Sequence, residues 1–273
     1  MADWTAGWSR QWPEREDGIL ALSGSDLLTP DTGWLHPWET IRNQLVEGSE
    51  PVYVGKLSGQ AVYVADVKHD HELHGAERIS TREAVLTADD EPAAMIGTAL
   101  QVHQWWRDHR FCGRCGQPTG FHPAERARWC DHCGIPWYAR LAPCVIVVIR
   151  RGDQFLLARS SRTRRHFFSL IAGFVEPGES AEQAVAREVM EETGLQVANV
   201  RYRGSQPWPF PHQLMLGYFA DYVAGDLVLQ EDELAEAGWY APGALPPVPP
   251  DTTIAGRLIR RMEREITGEE SGH

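Results

Sequence analysis

In the first part of the chain, a strand-like pattern of hydrophobic and polar residues is followed by a pattern with helical spacing. Residues 51–67 contain two β-branched and aromatic runs around a short polar turn, a pattern that predicts a β-hairpin. Residues 92–107 carry apolar side chains three and four positions apart, which predicts a helix with Asp90 or Glu91 near its cap. His103 lies on that apolar stripe, so we interpret it as a packed side chain rather than a metal ligand.

The second half of the chain mixes buried strands with helices. Residues 143–149 form a continuous apolar run, typical of a strand buried on both faces, and 154–158 is its predicted hairpin partner. Helix-forming residues fill 180–193 and 255–266, and a further strand is predicted at 214–222. This mixture favours an α/β/α sandwich over a helical bundle.

Local signals mark both ends of the helix predicted over 180–193. Ser180 can cap its first turn, and Gln183 three residues later can complete a capping box. Gly194 directly after the helix is a typical C-terminal stop. These signals fix which residues share a face of the helix.

Composition and charge narrow the possible functions. Of the 273 residues, 42% are hydrophobic and 23% charged, as is usual for a soluble globular protein. The 26 basic and 38 acidic residues give a net charge of −12, so we do not expect broad electrostatic binding to nucleic acid. An anionic substrate would have to be bound by metal ions and local arginines. The first ten residues contain no apolar stretch of the signal-peptide kind, so we expect a cytoplasmic protein.

Four of the five cysteines follow metal-ligand spacing. They form C-x2-C-x14-C-x2-C, which predicts a closed structural Zn²⁺ site with four sulfur ligands: Cys112, Cys115, Cys130 and Cys133. The alternative is a pair of redox-active dithiols or disulfides, which a cytoplasmic location disfavours. Cys144 lies alone in an apolar strand and is interpreted as a core residue.

Three glutamates fall on one face of the helix predicted over 180–193. Glu188, Glu191 and Glu192 are spaced i, i+3 and i+4, where like charges repel each other. A divalent cation such as Mg²⁺ or Mn²⁺ would resolve that repulsion, because both prefer carboxylate oxygens. Arg187 could orient a glutamate through a bidentate ion pair. The competing interpretation is an acidic helix face that is simply solvated.

Aromatic residues near the predicted metal face could bind a base. Phe174 and Trp208 offer flat rings on which a nucleobase can stack, and the prolines around Trp208 and Phe210 would stiffen the loop that carries them. The alternative is a proline-rich turn with core aromatics. Two polar clusters are interpreted as solvated loops: residues 69–74, rich in histidine and acids, and the basic residues 162–166.

A longer pattern unites the glycine-containing loop and the acidic helix. Residues 173–195 have the spacing G-x5-E-x7-R-E-U-x-E-E-x-G-U, in which U is a bulky apolar residue. This resembles the Nudix box, the signature of the Nudix hydrolases, at every defined position. Two more segments are similar to those of the NADH pyrophosphatases within that family: the four-cysteine ribbon and the sequence SQPWPFP at 205–211. Gln213 stands where that motif ends in serine, and Ala139 stands where proline is common.

The resemblance implies an α+β multidomain protein. It places an N-terminal α+β domain at 1–108, a zinc ribbon at 109–140 and a Nudix α/β/α sandwich at 141–273. It further implies a homodimer in which a subunit contributes residues to its neighbour's site.

The resemblance also implies roles for individual residues. Catalysis would depend on Arg187, Glu188, Glu191 and Glu192, with the proton acceptor left open between Glu191 and Glu192. Catalytic Mg²⁺ or Mn²⁺ would be held by Glu188, Glu192, Glu233 and the backbone carbonyl of Ala172. The dinucleotide would contact Glu125, Tyr138, Phe174, Gln206, Pro207, Trp208, Pro209, Phe210, Pro211, His212, Gln213 and Ala255.

The implied reaction is metal-dependent hydrolysis of the pyrophosphate bond of NADH or NAD⁺. Its products would be nicotinamide mononucleotide and AMP, and the same chemistry would remove an NAD cap from the 5′ end of RNA. Two alternatives remain open from the sequence. One is a Nudix pyrophosphatase for ADP-ribose or another nucleotide, and the other is an RNA-binding zinc-ribbon protein whose Nudix domain is only a scaffold.

Overall fold

The computed structural model describes residues 3–68, 76–161, 167–230 and 232–269. It divides the chain into two compact units, Met1–Arg140 with Pro209–His212, and Leu141–Trp208 with Gln213–His273. The clusters at 69–74 and 162–166 lie outside the described residues. The three-domain division at 108/109 and 140/141 therefore stays a prediction, although the compact units also separate after Arg140.

The first compact unit is built on a seven-stranded sheet. The strands are β1 Trp4–Ala6, β2 Gly18–Ser23, β3 Asp26–Thr29, β4 His36–Pro37, β5 Val52–Leu57, β6 Gln60–Asp66 and β7 Glu77–Ser80. They run in the order β1-β5-β6-β2-β3-β7, with β4 also paired to β2. The helices are α1 Trp38–Ile41, α2 Thr81–Thr87 and α3 Asp90–Asp108. The β5–β6 pair confirms the hairpin predicted over 51–67.

The two faces of this sheet bury different clusters. Leu20 and Leu22 of β2 pack into the cluster that contains the buried face of α3, whereas Ile19 and Ala21 pack with α1. This is the period-two alternation of a strand covered on both sides. The helix predicted over 92–107 is confirmed, but its start was wrong: α3 begins at Asp90 with Asp89 as the N-cap residue. His103 is buried with its Nε2 atom 3.0 Å from a carboxylate oxygen of Asp66, as expected for a packed side chain.

The cysteine region forms a small sheet of its own within the first unit. Strands β8 Gly120–Phe121, β9 Ala127–Cys130 and β10 Ile135–Tyr138 pair in the order β10-β9-β8. A tight turn closes each cysteine pair, because the N–H of Gly116 donates to the carbonyl of Cys112 and the N–H of Gly134 donates to that of Cys130, both at 2.8 Å. The two pairs therefore have the same local geometry.

The second compact unit is a six-stranded sheet between two helices. Its strands are β11 Ala142–Arg151, β12 Gln154–Ser160, β13 Ile171–Phe174, β14 Gln196–Trp208, β15 Gln213–Ala224 and β16 Leu234–Tyr240, and its helices are α4 Ala181–Thr193 and α5 Ile254–Thr267. The order is β14-β15-β11-β12-β16, with β13 paired to β11. β11 and β15 run parallel at the centre, as crossover connections require.

Central strand β11 shows why the chain forms a sandwich. Cys144, Ile146 and Val148 point into the cluster under α5, whereas Val145 and Val147 point into the cluster under α4. Both faces are covered, so both sets of side chains must be apolar, and the strand reads as a continuous hydrophobic run. The predicted α/β/α sandwich is confirmed. No helix among the described residues is long and apolar enough to cross a membrane.

Candidate active site and zinc centre

Helix α4 is positioned by its own ends. The Ser180 hydroxyl accepts a hydrogen bond from the Gln183 N–H at 3.2 Å, and the Gln183 side-chain oxygen accepts one from the Ser180 N–H at 2.8 Å. This is the predicted capping box. Gly194 ends the helix in the left-handed conformation at φ 71°, which glycine adopts without steric cost. The two ends fix the phase of the helix and thus the face on which its glutamates lie.

Arg187 is the centre of the ion-pair network of α4. Its guanidinium binds Glu179 in a bidentate manner, with Nε 2.8 Å from Oε1 and Nη2 2.9 Å from Oε2. Nη1 donates to Glu188 at 2.8 Å and to Glu191 at 3.1 Å, and Nη2 donates to the backbone carbonyl of Phe174 at 2.8 Å. One cation therefore joins three carboxylates and ties the helix to the end of β13. Hydrogen bonds from Arg187 hold the pKa of Glu179 below its usual value.

The carboxylate of Glu188 lies directly against the backbone of β13. A Cβ atom placed on Gly173 would come within 1.9 Å of the Glu188 carboxyl carbon, so the carboxylate would have to move away. Gly173 pairs with Val145 of β11, and Ala172 pairs with Ile146. The absence of a side chain at Gly173 therefore gives Glu188 its place beside the backbone that follows Ala172. Sequence reasoning treated this glycine only as a loop residue.

A buried thiol marks a second side of the acidic face. Cys144 is 6% exposed and belongs to the core, as predicted. Burial, together with the negative charges of Glu188 and Glu192, raises the pKa of its thiol to about 12. Both carboxylates are thus close enough to Cys144 to act on it electrostatically. The sequence did not indicate this electrostatic coupling between a core thiol and two carboxylates.

Backbone hydrogen bonds connect Glu233 to the end of α4. The N–H of Gln230 donates to the carbonyl of Glu192 at 3.1 Å, and the N–H of Glu233 donates to the carbonyl of Gln230 at 2.9 Å. Glu233 is half-buried, one residue before β16. The segment before β16 is therefore hydrogen-bonded to the end of the acidic helix and places a further carboxylate near it.

The donor set fits a hard divalent cation. Glu188, Glu192 and Glu233 supply carboxylates, and Ala172 supplies a backbone carbonyl next to the space that Gly173 leaves open. Oxygen donors of these two kinds are the usual ligands of Mg²⁺ and Mn²⁺. Among the described residues, the group with metal-binding geometry is the four cysteines.

Several of the predicted substrate residues lie at one end of the second unit. Phe174 is 46% exposed, so its ring is accessible from solvent. The side-chain oxygen of Gln206 accepts from the Ile254 N–H at 2.6 Å, and its side-chain nitrogen donates to the Thr252 carbonyl at 2.9 Å. Gln206 therefore joins β14 to the start of α5, where the predicted contact residue Ala255 is buried.

The proline-rich segment is divided between the two compact units. Its interpretation as one stiff loop was wrong, because Gln206, Pro207 and Trp208 continue β14 and pair with β15 as far as Gln213. Trp208 packs against the core under α5. The remaining residues, Pro209, Phe210, Pro211 and His212, belong to the first unit.

Phe210 is a packed aromatic of the first unit. It lies against the cluster of α3, and the guanidinium of Arg82 is 4.6 Å from its ring centre. Burial and the positive charge of Arg140 lower the pKa of His212 in the same unit. The structure thus gives Phe210 the core contacts that the alternative interpretation expected, while Phe174 keeps an open ring.

Tyr138 and Glu125 are brought together in the first unit. The Tyr138 hydroxyl donates a hydrogen bond to the Glu125 carboxylate, which raises the pKa of the tyrosine. Tyr138 is 53% exposed at the end of β10. Tyr138 and Glu125, which are separated along the chain, therefore form one exposed polar pair.

The four cysteines of the first unit form a compact tetrad. Their sulfur atoms all lie within 4.8 Å of one another, and the Sγ atoms of Cys115 and Cys130 are 3.6 Å apart. Tetrahedral Zn²⁺ with Zn–S bonds of about 2.3 Å places its ligands about 3.8 Å apart, so the tetrad fits this ion. Burial opposes ionisation of Cys112, but the N–H groups of Arg114 and Cys115 outweigh it and lower its pKa to about 6. A site closed by four thiolates is structural, since it leaves no position for a substrate.

Family models match most of the chain in three successive segments. Residues 16–105 match the NADH pyrophosphatase-like rudimentary NUDIX domain, 107–138 the NADH pyrophosphatase zinc ribbon domain and 140–262 the NUDIX domain. The NAD-capped RNA hydrolase NudC of Pseudomonas aeruginosa is 44% identical over 88% of this chain and 87% of its own length. The protein of the same name from Pseudomonas syringae pv. syringae is also 44% identical, over 93% and 92% of the two chains.

The chain is a Nudix hydrolase of the NADH pyrophosphatase family. Its fold agrees with this assignment. A crystal structure of a NUDIX hydrolase from Nitrosomonas europaea superimposes with a TM-score of 0.51 at 21% identity, and covers 60% of this chain and 96% of that one. The four-cysteine tetrad of this Nudix hydrolase is therefore the structural zinc site of its ribbon.

Substitution of one cysteine tests the zinc centre. We expect Cys115→Ser to lose bound zinc, because the remaining three thiolates cannot close the tetrahedron and the small sheet has little core of its own. Metal analysis of the purified protein should find about equimolar zinc in the wild type. The control is Cys144→Ala, which removes a thiol of the second unit and should keep its zinc. Full zinc retention by Cys115→Ser would contradict the assignment.

Replacement of Gly173 tests the contact that places Glu188. A Cβ atom on Gly173 would displace the Glu188 carboxylate, since the two cannot share the space. We expect Gly173→Ala to lower the turnover of this Nudix hydrolase by about 100-fold, the usual cost of moving a catalytic group by an ångström. Gly120→Ala is the control, because nothing lies within 4 Å of a Cβ atom there. Wild-type turnover in Gly173→Ala, measured at saturating Mn²⁺, would sink this interpretation.

Proposed function

We propose that this Nudix hydrolase cleaves the pyrophosphate bond of NADH and NAD⁺ and removes NAD caps from the 5′ ends of RNA. The products of the free dinucleotide are nicotinamide mononucleotide and AMP. The names of the relatives from Pseudomonas support this substrate class, as do the ribbon and rudimentary domains typical of NADH pyrophosphatases. The observation that carries the proposal is the acidic face of α4, where Glu188 lies in the space left by Gly173.

The metal-binding residues are Glu188, Glu192, Glu233 and the carbonyl of Ala172. Mg²⁺ or Mn²⁺ held by these residues would neutralise charge on the pyrophosphate and would make water a better nucleophile. The chain prepares this site in two ways. Arg187 orients Glu188 through a 2.8 Å hydrogen bond, and the backbone link through Gln230 keeps Glu233 beside the end of α4.

Proton removal from the attacking water falls to a glutamate of the same helix. Glu191 is exposed and accepts a hydrogen bond from Arg187 at 3.1 Å, whereas Glu192 is half-buried near Cys144. We assign the general base to one of these two glutamates. Glu192 is our first candidate, because its half-buried carboxylate contacts less bulk water than that of Glu191. Arg187 keeps Glu191 in place as a supporting group.

The dinucleotide is held by aromatic and polar groups of the second unit. The open ring of Phe174 stacks on a base, a contact worth about 1–3 kcal/mol. Its carbonyl is bound to Arg187, so the stacking ring and the acidic helix are positioned by one guanidinium. Gln206 holds the start of α5 beside the end of β14 and so orients Trp208 and Ala255.

We further propose that the enzyme works as a homodimer. Tyr138 and Glu125 form an exposed, hydrogen-bonded pair in the first unit. An exposed tyrosine with its hydroxyl already oriented is suited to a contact across a subunit interface. In this proposal the pair reaches the dinucleotide bound to the neighbouring subunit.

A substrate panel tests the proposed reaction. Purified enzyme with Mn²⁺ or Mg²⁺ should release nicotinamide mononucleotide from NADH, NAD⁺ and NAD-capped RNA, with products identified by mass spectrometry. ADP-ribose is the comparison substrate, because Gln213 replaces the serine of the substrate motif. Cleavage of ADP-ribose alone would replace the proposal with another pyrophosphatase activity.

Replacement of a single carboxylate tests the catalytic assignment. Glu192→Gln should retain less than about a tenth of wild-type turnover of NADH, since it removes a metal ligand and the first candidate base. The fold and zinc content should stay unchanged. Glu182→Gln is the matched control, because Glu182 is an exposed glutamate in the first turn of the same helix. Turnover above that level in Glu192→Gln would refute the role of Glu192.

A further inference from the structure

A basic cleft lies between β14 and α5 in the second unit. It has a volume of about 290 Å³, and its charged lining is five arginines and a single aspartate in a chain whose net charge is −12. The arginines come from both walls, Arg203 from the strand and Arg257, Arg260, Arg261 and Arg264 from the helix. Gly204 and Ser205 complete the lining on the strand side.

Three of the arginines form a stripe along α5. Arg257, Arg261 and Arg264 are exposed and are spaced i, i+4 and i+7, so they share one face of the helix. Cations at this spacing repel each other. The stripe is about 10 Å long at 1.5 Å per residue, more than a single small anion can span.

Carboxylates neutralise only part of this charge. Arg260 pairs with Glu263 at 2.7 Å, whereas Arg203 and Arg261 share Glu265 at 3.8 and 3.4 Å. Among the described residues, Arg257 and Arg264 have no carboxylate within 4.0 Å. The cleft therefore keeps uncompensated positive charge at both ends of the stripe.

Arg203 contains a buried donor without a partner. Its Nε atom is buried and makes no hydrogen bond, while its guanidinium lies 4.8 Å from the ring centre of Phe219. An unpaired buried N–H is costly, and charged groups are more so. The aromatic ring holds the guanidinium in place beside the cleft, where its positive charge favours an anion. Arginine is well suited to this, since its planar fork matches phosphate oxygens.

The cleft is formed by the same strand and helix that the proposed substrate residue Gln206 joins. Arg203 and Gln206 are three residues apart on β14, about 10 Å at the rise of a strand. Both contact α5, Gln206 at its first residue and Arg203 at Glu265 near its end. A polyanionic ligand that extends from the substrate site beside Gln206 can therefore lie along α5 and contact the arginine stripe.

We propose that this cleft binds the phosphate groups of the RNA chain that follows an NAD cap. The inference rests on the proposed function for its choice of RNA as the polyanion. The length of the stripe favours several linked phosphates over one. The net charge of −12 opposes broad electrostatic binding of RNA, so a local group of arginines is needed to hold its phosphates. Free NADH has no phosphate groups beyond its pyrophosphate, so its binding does not require the cleft.

The test compares RNA binding with dinucleotide turnover. The cleft variant is Arg261→Gln with Arg264→Gln, two exposed positions whose replacement should leave the fold intact. Fluorescence anisotropy with a short uncapped single-stranded RNA should show about tenfold weaker binding. The slope of log affinity against log salt concentration should become shallower by about one to two, since about one to two phosphate contacts are lost. Turnover of NADH should equal that of the wild type, and turnover of NAD-capped RNA should fall through a higher KM.

Two controls make the test decisive. Arg150→Gln with Arg151→Gln changes the net charge equally at the β11–β12 turn and should bind RNA as the wild type does. Arg261→Lys with Arg264→Lys should recover most of the affinity, because the charge is kept. Equal RNA affinity in the cleft and control variants overturns the inference, as does displacement of RNA by an equal concentration of inorganic phosphate. RNA binding is measured without hydrolysis, so failure of the enzyme to cleave NADH would count only against the proposed function.

Discussion

The ion-pair network of Arg187 with three carboxylates is the interaction on which the geometry of the acidic helix face depends. Glu179, Glu188 and Glu191 come from a loop and two turns of α4, and without a shared cation their charges would separate. The same guanidinium also binds the carbonyl of Phe174. Loop, helix and the end of β13 are therefore held as one body before any substrate arrives, so little ordering remains for the reaction to supply.

This arrangement is possible only because the backbone of β13 comes so close to α4. Gly173 provides that closeness, since any larger residue would occupy the position of the Glu188 carboxylate. The sandwich supplies the rest. β11 is covered on both faces by apolar clusters, and it holds the paired strand β13 next to the acidic helix. The apolar core around β11 thus fixes the position of β13, and β13 in turn fixes the position of the Glu188 carboxylate.

The two metal-binding chemistries of the chain differ in ways that match their roles. The cysteine tetrad has soft sulfur ligands within 4.8 Å of one another and holds a small sheet together. The glutamates of α4 offer hard oxygen atoms, which suit the divalent cations proposed for catalysis. The arginines along α5 add a third kind of site, in which a local excess of positive charge stands in an acidic protein.

The sequence alone determined the features that depend on residues close together in the chain. The capping box, the glutamate face, the cysteine knuckles and the double-sided strand at 143–149 all follow from spacing, because neighbouring residues set them. Only the tertiary structure decided which distant segments meet. It placed Glu188 against Gly173, returned Glu233 to α4, extended β14 through Trp208 and set Arg203 opposite the arginines of α5. Those contacts depend on strand pairing and layer packing, which no local pattern encodes.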